Sequence, residues 1–110
     1  MKYMMFICHE PERLDEAVAQ VEKDGGAWLE EMGGRGVRLD GNALRPPGEA
    51  TTVRLRGGRP LLTDGPFAES KEAIAGFDII ECADLDEAIE IATRHPCAAA
   101  GSIELRPFWQ

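Results

Sequence analysis

The sequence predicts an α+β protein with a mostly antiparallel sheet and two helices on one face, as in a ferredoxin-like sandwich. Two stretches carry apolar residues at three- and four-residue steps, as amphipathic helices do, and short apolar or alternating runs around them have the pattern of strands. Each helix has one apolar side to bury, and a sheet offers one face to bury it against. We expect a single domain, residues 1–110, in the order strand, helix, strand, strand with a hairpin, strand, helix, strand.

The first strand and helix occupy the first third of the chain. The run KYMMFIC, residues 2–8, is almost continuously apolar, which suits a central strand covered on both faces. A helix is expected from Glu12 to the terminating pair Gly33–Gly34, with Pro11 in its first turn. Its apolar face is expected to comprise Leu14, Val18, Val21, Trp28 or Leu29, and Met32. The pair Gly25–Gly26 predicts either a helix break or close approach by another backbone, since each glycine costs roughly 1 kcal/mol relative to alanine.

Further strands and a second helix fill the rest of the chain. The predicted strands are GVRLDGNAL, ATTVRLR, PLLT, AGFDIIECA and, at the end of the chain, GSIELRPF. The second helix begins at Asp84 in a capping-box pattern with Glu87, and Pro96 stops it. Its buried face is expected to comprise Leu85, Ala88, Ile89 and Ala92. In one register Val53 and Leu55 fall on the sheet face away from the helices, which a second subunit would cover.

Charge and cysteine content limit the classes of partner. The chain has 12 basic and 20 acidic residues, a formal net charge of -8, which disfavours direct binding to nucleic acid or to anionic lipid surfaces. No apolar run approaches the roughly 20 residues of a membrane helix. Three cysteines without CxxC or Cys/His spacing predict reduced thiols in a cytoplasmic protein and no metal site, with Cys82 in the core and Cys8 and Cys97 as poor nucleophiles. No glycine-rich loop leads into a helix, so no nucleotide cofactor is expected.

Five segments of the chain together resemble one known family. In order, LRPPGEATTVR, TDGPFAESKEAIAGF, DLDEAIEIA and HPCAAAGSIELRPF resemble the DGPF-type proteins of the YCII-related family, and MKYMMFI matches their opening strand. The resemblance covers nearly the whole chain and is weakest between residues 9 and 35. It implies a ferredoxin-like fold of the dimeric α/β barrel type, in which two sheets meet face to face around a shared cleft, and therefore a homodimer.

The resemblance implies less about activity than about fold. Most proteins of this kind look uncharacterised, some relatives act on small chlorinated aromatic compounds, and some resemble domains that accompany extracytoplasmic-function sigma factors. In the wider family a histidine and an aspartate in the cleft are suspected as an acid/base pair. The first helix of this sequence contains no histidine, so that pair is not carried over to it.

The candidate acid/base residues are Asp64, His9 and His95. Asp64 opens the turn Asp64-Gly65-Pro66, so its side chain either accepts hydrogen bonds from that turn or faces the cleft as a general base. His9 follows the first strand and His95 follows the second helix. Each is either a polar residue at the end of an element or, if it reaches the cleft, an acid/base group suited to neutral pH. For His95 the structural alternative is a cation favoured by the helix dipole.

The candidate ligand-binding residues are Arg45, Phe67, Glu69 and Lys71. Arg45 precedes the stiff pair Pro46-Pro47 and is either a clamp for a carboxylate or phosphate or an exposed arginine at a strand end. Phe67 would fix the following loop by burying its ring. Lys71, with Glu69 nearby, would hold an acidic group unless this charged run is only solvated surface.

Two functions from different classes remain open on the sequence alone. One is a small cofactor-free enzyme that transfers protons on a small organic or anionic molecule in the dimer cleft. The other is a non-catalytic module that senses a metabolite or binds a protein partner. Asp64 and a histidine within hydrogen-bond reach of one another in an apolar-lined pocket would favour the enzyme, whereas two histidines in open solvent and a pocket without a titratable pair would exclude it.

Overall fold

The computed structural model describes residues 1–65 and 73–109, which form two sheets and a layer of helices. The strands are β1 (Lys2–His9), β2 (Arg38–Ala43), β3 (Thr51–Arg56), β4 (Arg59–Asp64), β5 (Ala73–Glu81) and β6 (Ser102–Pro107). The helices are α1 (Leu14–Gly34), α2 (Leu85–Thr93) and the short α3 (Cys97–Ala100), which the sequence did not predict. A single turn of 3-10 helix, Pro11–Arg13, precedes α1.

The main sheet has the strand order β2-β5-β1-β6, and every neighbouring pair is antiparallel. β1 is therefore a central strand, as its continuous apolar run predicts. Met5 lies opposite Asp78 on one side and Leu105 on the other, so these three side chains share one face of the sheet. This α+β arrangement confirms the predicted ferredoxin-like sandwich with its helices on one side.

The core lies between that sheet face and the helices. Met5, Met32, Ile80 and Ile91 are its largest fully buried side chains. The indole Nε1–H of Trp28 in α1 donates a hydrogen bond to the main-chain oxygen of Ile91 in α2, at 3.1 Å. This buried bond joins the two longer helices where they pack on the sheet.

Helix α2 begins as predicted but buries a different face. The main-chain N–H of Glu87 donates to the Asp84 carboxylate at 2.9 Å, and this confirms the predicted N-cap. The buried residues of the helix are Ala88, Ile91 and Ala92. The prediction that Leu85 and Ile89 are buried was wrong, because the helix packs through its two alanines and Ile91, which leaves the larger side chains about half exposed.

The glycine pair in α1 has neither of the two predicted roles. The helix runs without a break through Gly25 and Gly26. No atom of another backbone in the described chain lies within 4 Å of a Cβ built at either position, and only Val21 of the same helix approaches one at Gly25. The pair instead leaves empty volume beside the helix, because two consecutive positions carry no side chain.

Strands β3 and β4 form a separate two-stranded sheet. Gly57 and Gly58 make its turn with positive φ angles of 57° and 76°, a backbone conformation that favours glycine. The prediction that Val53 and Leu55 lie on the main sheet was wrong, since both belong to this hairpin, where each is 65% exposed. The hairpin is an insertion between β2 and β5 that pairs only with itself among the described strands.

The cysteines and the helices agree with two further expectations. Cys8, Cys82 and Cys97 are buried and form no disulfide with one another, and Cys82 lies in the core as predicted. Burial raises the pKa of the Cys82 and Cys97 thiols above their ordinary value. In residues 1–65 and 73–109, no helix combines the length and apolarity that crossing a membrane requires.

Candidate functional site

A cavity of about 720 Å³ lies between α1 and the half of the sheet that contains β2 and β5. Its lining comes from α1, from β1, β2 and β5, from the segment after β2, and from His95 and Cys97 beyond α2. Cavities of roughly 300 to 1,000 Å³ are typical of small-molecule sites. The cavity opens on the helix side of the sheet within one chain, not on the opposite face where two sheets would meet.

Most of the cavity wall is apolar, and α1 supplies much of it. The predicted apolar face of α1 is only partly core: Trp28 and Met32 are buried, whereas four other side chains of this face line the cavity and stay 38% to 45% exposed. These exposed side chains are Leu14, Val18, Val21 and Leu29. Gly25 and Gly26 lie in the same wall, so the missing side chains of the glycine pair help to create the cavity.

His9 lines this cavity at the end of β1 and is only 4% exposed. Its Nδ1 lies 3.0 Å from the main-chain oxygen of Glu10. A carbonyl oxygen only accepts hydrogen bonds, so Nδ1 must carry the proton and donate it. In the neutral ring Nε2 is then left without a proton, as a lone-pair acceptor.

His95 lines the same cavity with the opposite arrangement of its ring. The main-chain N–H of Cys97 donates to His95 Nδ1 at 3.0 Å, so Nδ1 is the acceptor and the neutral ring carries its proton on Nε2. The ring also stands edge-on to Trp28, with 4.8 Å between ring centroids. Burial lowers the pKa of His95 from its ordinary value of 6.5 to about 4. Burial thus favours the neutral ring at pH 7, whereas the predicted alternative was a cation favoured by the helix dipole.

A buried ion pair forms the polar part of the sheet wall. Arg38 of β2 donates from Nε to the Oδ1 of Asp78 of β5 at 2.7 Å, and both residues line the cavity. Desolvation raises the pKa of the Asp78 carboxyl, and this outweighs the lowering that the Arg38 guanidinium causes. Asp78 is 6% exposed, so Arg38 is the cation that makes its burial possible.

Gly41 is the residue that makes room for this pair. A Cβ at that position would lie 2.2 Å from Asp78 Oδ1, 2.6 Å from the main-chain oxygen of Phe77 and 2.7 Å from Arg38 Nη2. Gly41 lies directly opposite Asp78 in the β2–β5 ladder. Any side chain there would displace either the carboxylate or the guanidinium.

The predicted site residues are distributed unevenly around this cavity. His9 and His95 line it, and so does Arg45, which forms an ion pair with Glu49 at 3.0 Å and has an 83% exposed side chain. Asp64 does not line it: it is exposed at the end of β4, in the separate hairpin. The structure therefore does not bring Asp64 together with either histidine at this cavity.

Phe67, Glu69 and Lys71 lie outside the described residues, so their predicted role in ligand binding stays a prediction. Asp78, Arg38 and Trp28 also line the cavity, and sequence patterns did not predict them as site residues. One signal was available for Asp78, because a carboxylate in the middle of the apolar strand AGFDIIECA needs a partner. Nothing in the sequence identified Arg38 as that partner, since the two residues are 40 positions apart.

The fold and the cavity define an α+β protein with a ferredoxin-like sandwich and a cavity of small-molecule size beside its sheet. The chain belongs to the YCII-related family, whose domain model matches residues 1–110.

Two known proteins illustrate what the chain is similar to. An uncharacterised protein of Rhizobium meliloti (strain 1021) is 46% identical over 67 residues, which is 59% of this chain and 54% of the relative. The match thus spans about half of that relative. The 5-chloro-2-hydroxyhydroquinone dehydrochlorinase of Burkholderia phenoliruptrix AC1100, solved in complex with 2,5-dihydroxybenzoquinone, aligns over 99% of this chain and 94% of its own, with a TM-score of 0.60 and 15% identity. At that identity the likeness shows the fold alone.

Proposed function

We propose that this protein is an acid/base enzyme that moves a proton on a small organic molecule bound in the cavity between α1 and the sheet. The observation that carries the proposal is the pair of histidines in one apolar cavity whose Nδ1 atoms meet opposite main-chain partners, a carbonyl oxygen at His9 and an N–H at His95. His9 offers an unprotonated Nε2 and His95 offers a protonated Nε2. One cavity therefore contains a base and a neutral hydrogen-bond donor, the two groups that proton transfer next to a carbonyl requires.

The proposed chemistry begins at His9. Its Nε2 takes a proton from an acidic C–H or O–H group of the substrate, and the electron pair of that bond remains on the substrate as an enolate or phenolate. The imidazolium so formed keeps its Nδ1–H bond to the Glu10 oxygen, which holds the ring in place. Return of the proton to a different atom gives an isomer, and departure of a leaving anion gives an elimination.

His95 stabilises the negative charge that develops in this step. Because its pKa is about 4, the ring is neutral at pH 7 and donates from Nε2 to the substrate oxygen without adding a charge to the apolar cavity. The contact with Trp28 and the N–H bond from Cys97 fix its orientation before the substrate binds. Pre-oriented donors of this kind are commonly worth about 100- to 1,000-fold in rate.

The dehydrochlorinase with the same fold supports a ring compound as substrate. That enzyme was solved with a small quinone as ligand, and the cavity between α1 and the sheet has a volume and an apolar wall that suit a molecule of that size. A reaction limited to proton transfer and loss of an anion is consistent with the groups that line this cavity.

We also propose that the protein is a homodimer built on the sheet face away from the helices. Met4, Phe6, Phe77 and Ile79 lie on that face and are only partly buried in the single chain. Arg106 covers the Phe6 ring, with its guanidinium carbon 5.4 Å from the ring centroid. Light scattering after size exclusion should give twice the 12.0 kDa chain mass, and a monomer at micromolar concentration would contradict this assembly.

Deuterium exchange tests the enzymatic proposal without knowledge of the full reaction. Hydroxyquinones, cyclic diketones and chlorinated phenols are incubated with the protein in D2O, and ¹H NMR follows loss of the substrate C–H signal. We expect exchange or chloride release with the wild type and strongly reduced rates with His9→Gln. Binding of these compounds without exchange or product in either protein would instead establish a ligand-sensing module.

A further inference from the structure

The guanidinium of Arg38 is bonded to Asp78 through Nε and lies in the wall of the cavity. Its Nε–H is bonded to Asp78, while neither terminal nitrogen has a hydrogen-bond acceptor among residues 1–65 and 73–109. The side chain is 25% exposed, and the residue lines the cavity. An arginine carries five N–H donors in a planar fork, so a single bond through Nε leaves the Nη1/Nη2 edge for a ligand.

The surroundings fix this guanidinium before any ligand arrives. Asp78 is buried and holds the Nε edge, and the absent side chain at Gly41 leaves the space that both groups occupy. Such pre-organisation lowers the entropy cost of binding, because the long arginine side chain is already ordered. The other arginine that lines the cavity, Arg45, is paired with Glu49 and is largely exposed to solvent.

The remaining lining constrains the body of the ligand. Apolar side chains of α1 face the cavity, and two histidines supply polar groups. A ligand that satisfies both parts has an apolar or aromatic body and one group that matches a guanidinium fork. A carboxylate matches that fork in shape and carries a single charge, whereas a phosphate dianion would be repelled more strongly by the neighbouring Asp78.

We propose that Arg38, held by Asp78, is a carboxylate-binding site, and that the substrate of this cavity is a small aromatic or otherwise apolar carboxylic acid. The claim that this ligand is a substrate rests on the proposed function. The binding site itself does not require catalysis. Arg38 is assigned to binding and Asp78 to positioning, while His9 and His95 keep their roles in proton transfer.

Tryptophan fluorescence gives a direct readout of occupancy. The chain has two tryptophans: Trp28 lines the cavity and Trp109 is fully exposed, so the Trp109→Phe background isolates the signal of the cavity. The probes are benzoate, phenylacetate and 3-phenylpropionate, each paired with its neutral amide of the same shape. We expect each acid to bind at least about tenfold more tightly than its amide at pH 7, as a hydrogen-bonded charge pair predicts.

Two matched substitutions test whether Arg38 causes the preference for acids over amides. Arg38→Lys keeps the charge next to Asp78 but removes the planar fork, and it should weaken acid binding about tenfold or more while leaving amide binding unchanged. Arg56→Lys makes the same exchange on the separate hairpin and should change neither. Circular dichroism verifies the fold of each variant. If Arg38→Lys does not fold, the acid-to-amide ratio of the wild-type cavity alone decides the question.

The outcomes separate this inference from the proposed function. Equal affinities for acids and amides, or acid binding that survives Arg38→Lys, would overturn the carboxylate site. Acid binding that depends on Arg38, with no exchange in D2O and no product from the hydroxyquinones, cyclic diketones and chlorinated phenols, would retain the site and reject the enzyme. Exchange on neutral ketones or phenols that is unaffected by Arg38→Lys would retain the enzyme and reject the site.

Discussion

The end of β1 and the segment that follows α2 each bring one histidine to the same cavity, and the two rings differ in the nitrogen that carries the proton. His9 meets a main-chain carbonyl at its Nδ1, whereas His95 meets a main-chain N–H at the same atom. The local backbone thus decides which ring acts as acceptor and which as donor. In the proposed function, two identical side chains at the ends of two different elements therefore have complementary roles.

Burial also changes the pKa of His95. Its ring packs against Trp28 beside the short helix α3, and burial lowers its pKa to about 4. A histidine at the C-terminal end of a helix is therefore not necessarily a cation, since desolvation can outweigh the helix dipole.

The largest effect is expected when the two rings are replaced one at a time. His9→Gln removes the base and should lower kcat/KM for proton exchange by about 100- to 10,000-fold. His95→Gln keeps an N–H donor and should lower kcat/KM about tenfold. This loss is smaller than the loss expected when a donor is removed altogether. Deuterium exchange rates measure both, with circular dichroism to verify folding. Equal losses in the two variants would show that the histidines do not have distinct roles.

Acid stability gives the next largest effect. The pKa of His95 is about 4 in the folded chain and 6.5 ordinarily. Between these pH values the unfolded chain therefore binds a proton at His95, whereas the folded chain does not. The contribution of His95 to the free energy of unfolding is therefore fully present above about pH 6.5 and is lost as the pH falls towards 4. We expect a loss of roughly 2 to 3 kcal/mol, where the lower figure allows for solvent at the half-buried ring.

Urea unfolding at a series of pH values from 7 to 4 measures this loss, and His95→Gln serves as the reference. The raised pKa of Asp78 acts in the opposite direction, but it is common to both proteins and cancels in their difference. A difference that stays constant with pH would contradict the neutral, buried His95.

A glycine substitution tests the backbone that positions His9. A Cβ at Gly101 would lie 2.1 Å from the main-chain oxygen of Cys8 and 3.2 Å from His9 Cα, so Gly101→Ala must displace the end of β1. We expect a destabilisation of about 1 to 3 kcal/mol together with a loss of exchange activity. Gly33→Ala is the control, because a Cβ there has open space in α1, lies away from the cavity lining and should stabilise the helix by up to about 1 kcal/mol.

The smallest effect concerns the support of His95. Trp28→Phe removes the bond to the Ile91 oxygen and changes the ring contact with His95, at a cost of about 1 kcal/mol in unfolding free energy. Entry of water should also raise the pKa of His95 towards its ordinary value, while the tautomer of His9 stays unchanged. Thermal unfolding and NMR titration measure the two effects, and an unaltered His95 pKa would show that Trp28 does not shield the ring.

Local sequence patterns were sufficient for most of the fold. Continuous apolarity identified β1 as a central strand, and the Asp84–Glu87 pattern located the start of α2, because both signals depend on residues close in sequence. The hairpin was recognised, but its separation from the main sheet was not, since alternation predicts strands and does not choose their neighbours. Nor did helical spacing distinguish a buried face from one that lines a cavity, as Val18 and Val21 illustrate.

The candidate site was predictable only in part. His9 and His95 were recognised as histidines that follow a strand and a helix, but their tautomers depend on main-chain neighbours that only coordinates reveal. Arg38 and Asp78 meet across two strands that are distant in sequence, and their pairing also requires the missing side chain of Gly41. Asp64 was favoured because of a conspicuous turn motif, and it lies on the hairpin instead of at the cavity.

The most direct test of the central claim is a ¹⁵N NMR titration of the two imidazole rings. The chain contains only two histidines, so His9→Gln and His95→Gln assign every ring signal. At pH 7 we expect His9 to carry its proton on Nδ1, His95 to carry its proton on Nε2, and His95 to remain neutral until the pH approaches 4. The same tautomer in both rings, or titration of His95 near pH 6.5, would contradict the division between base and donor.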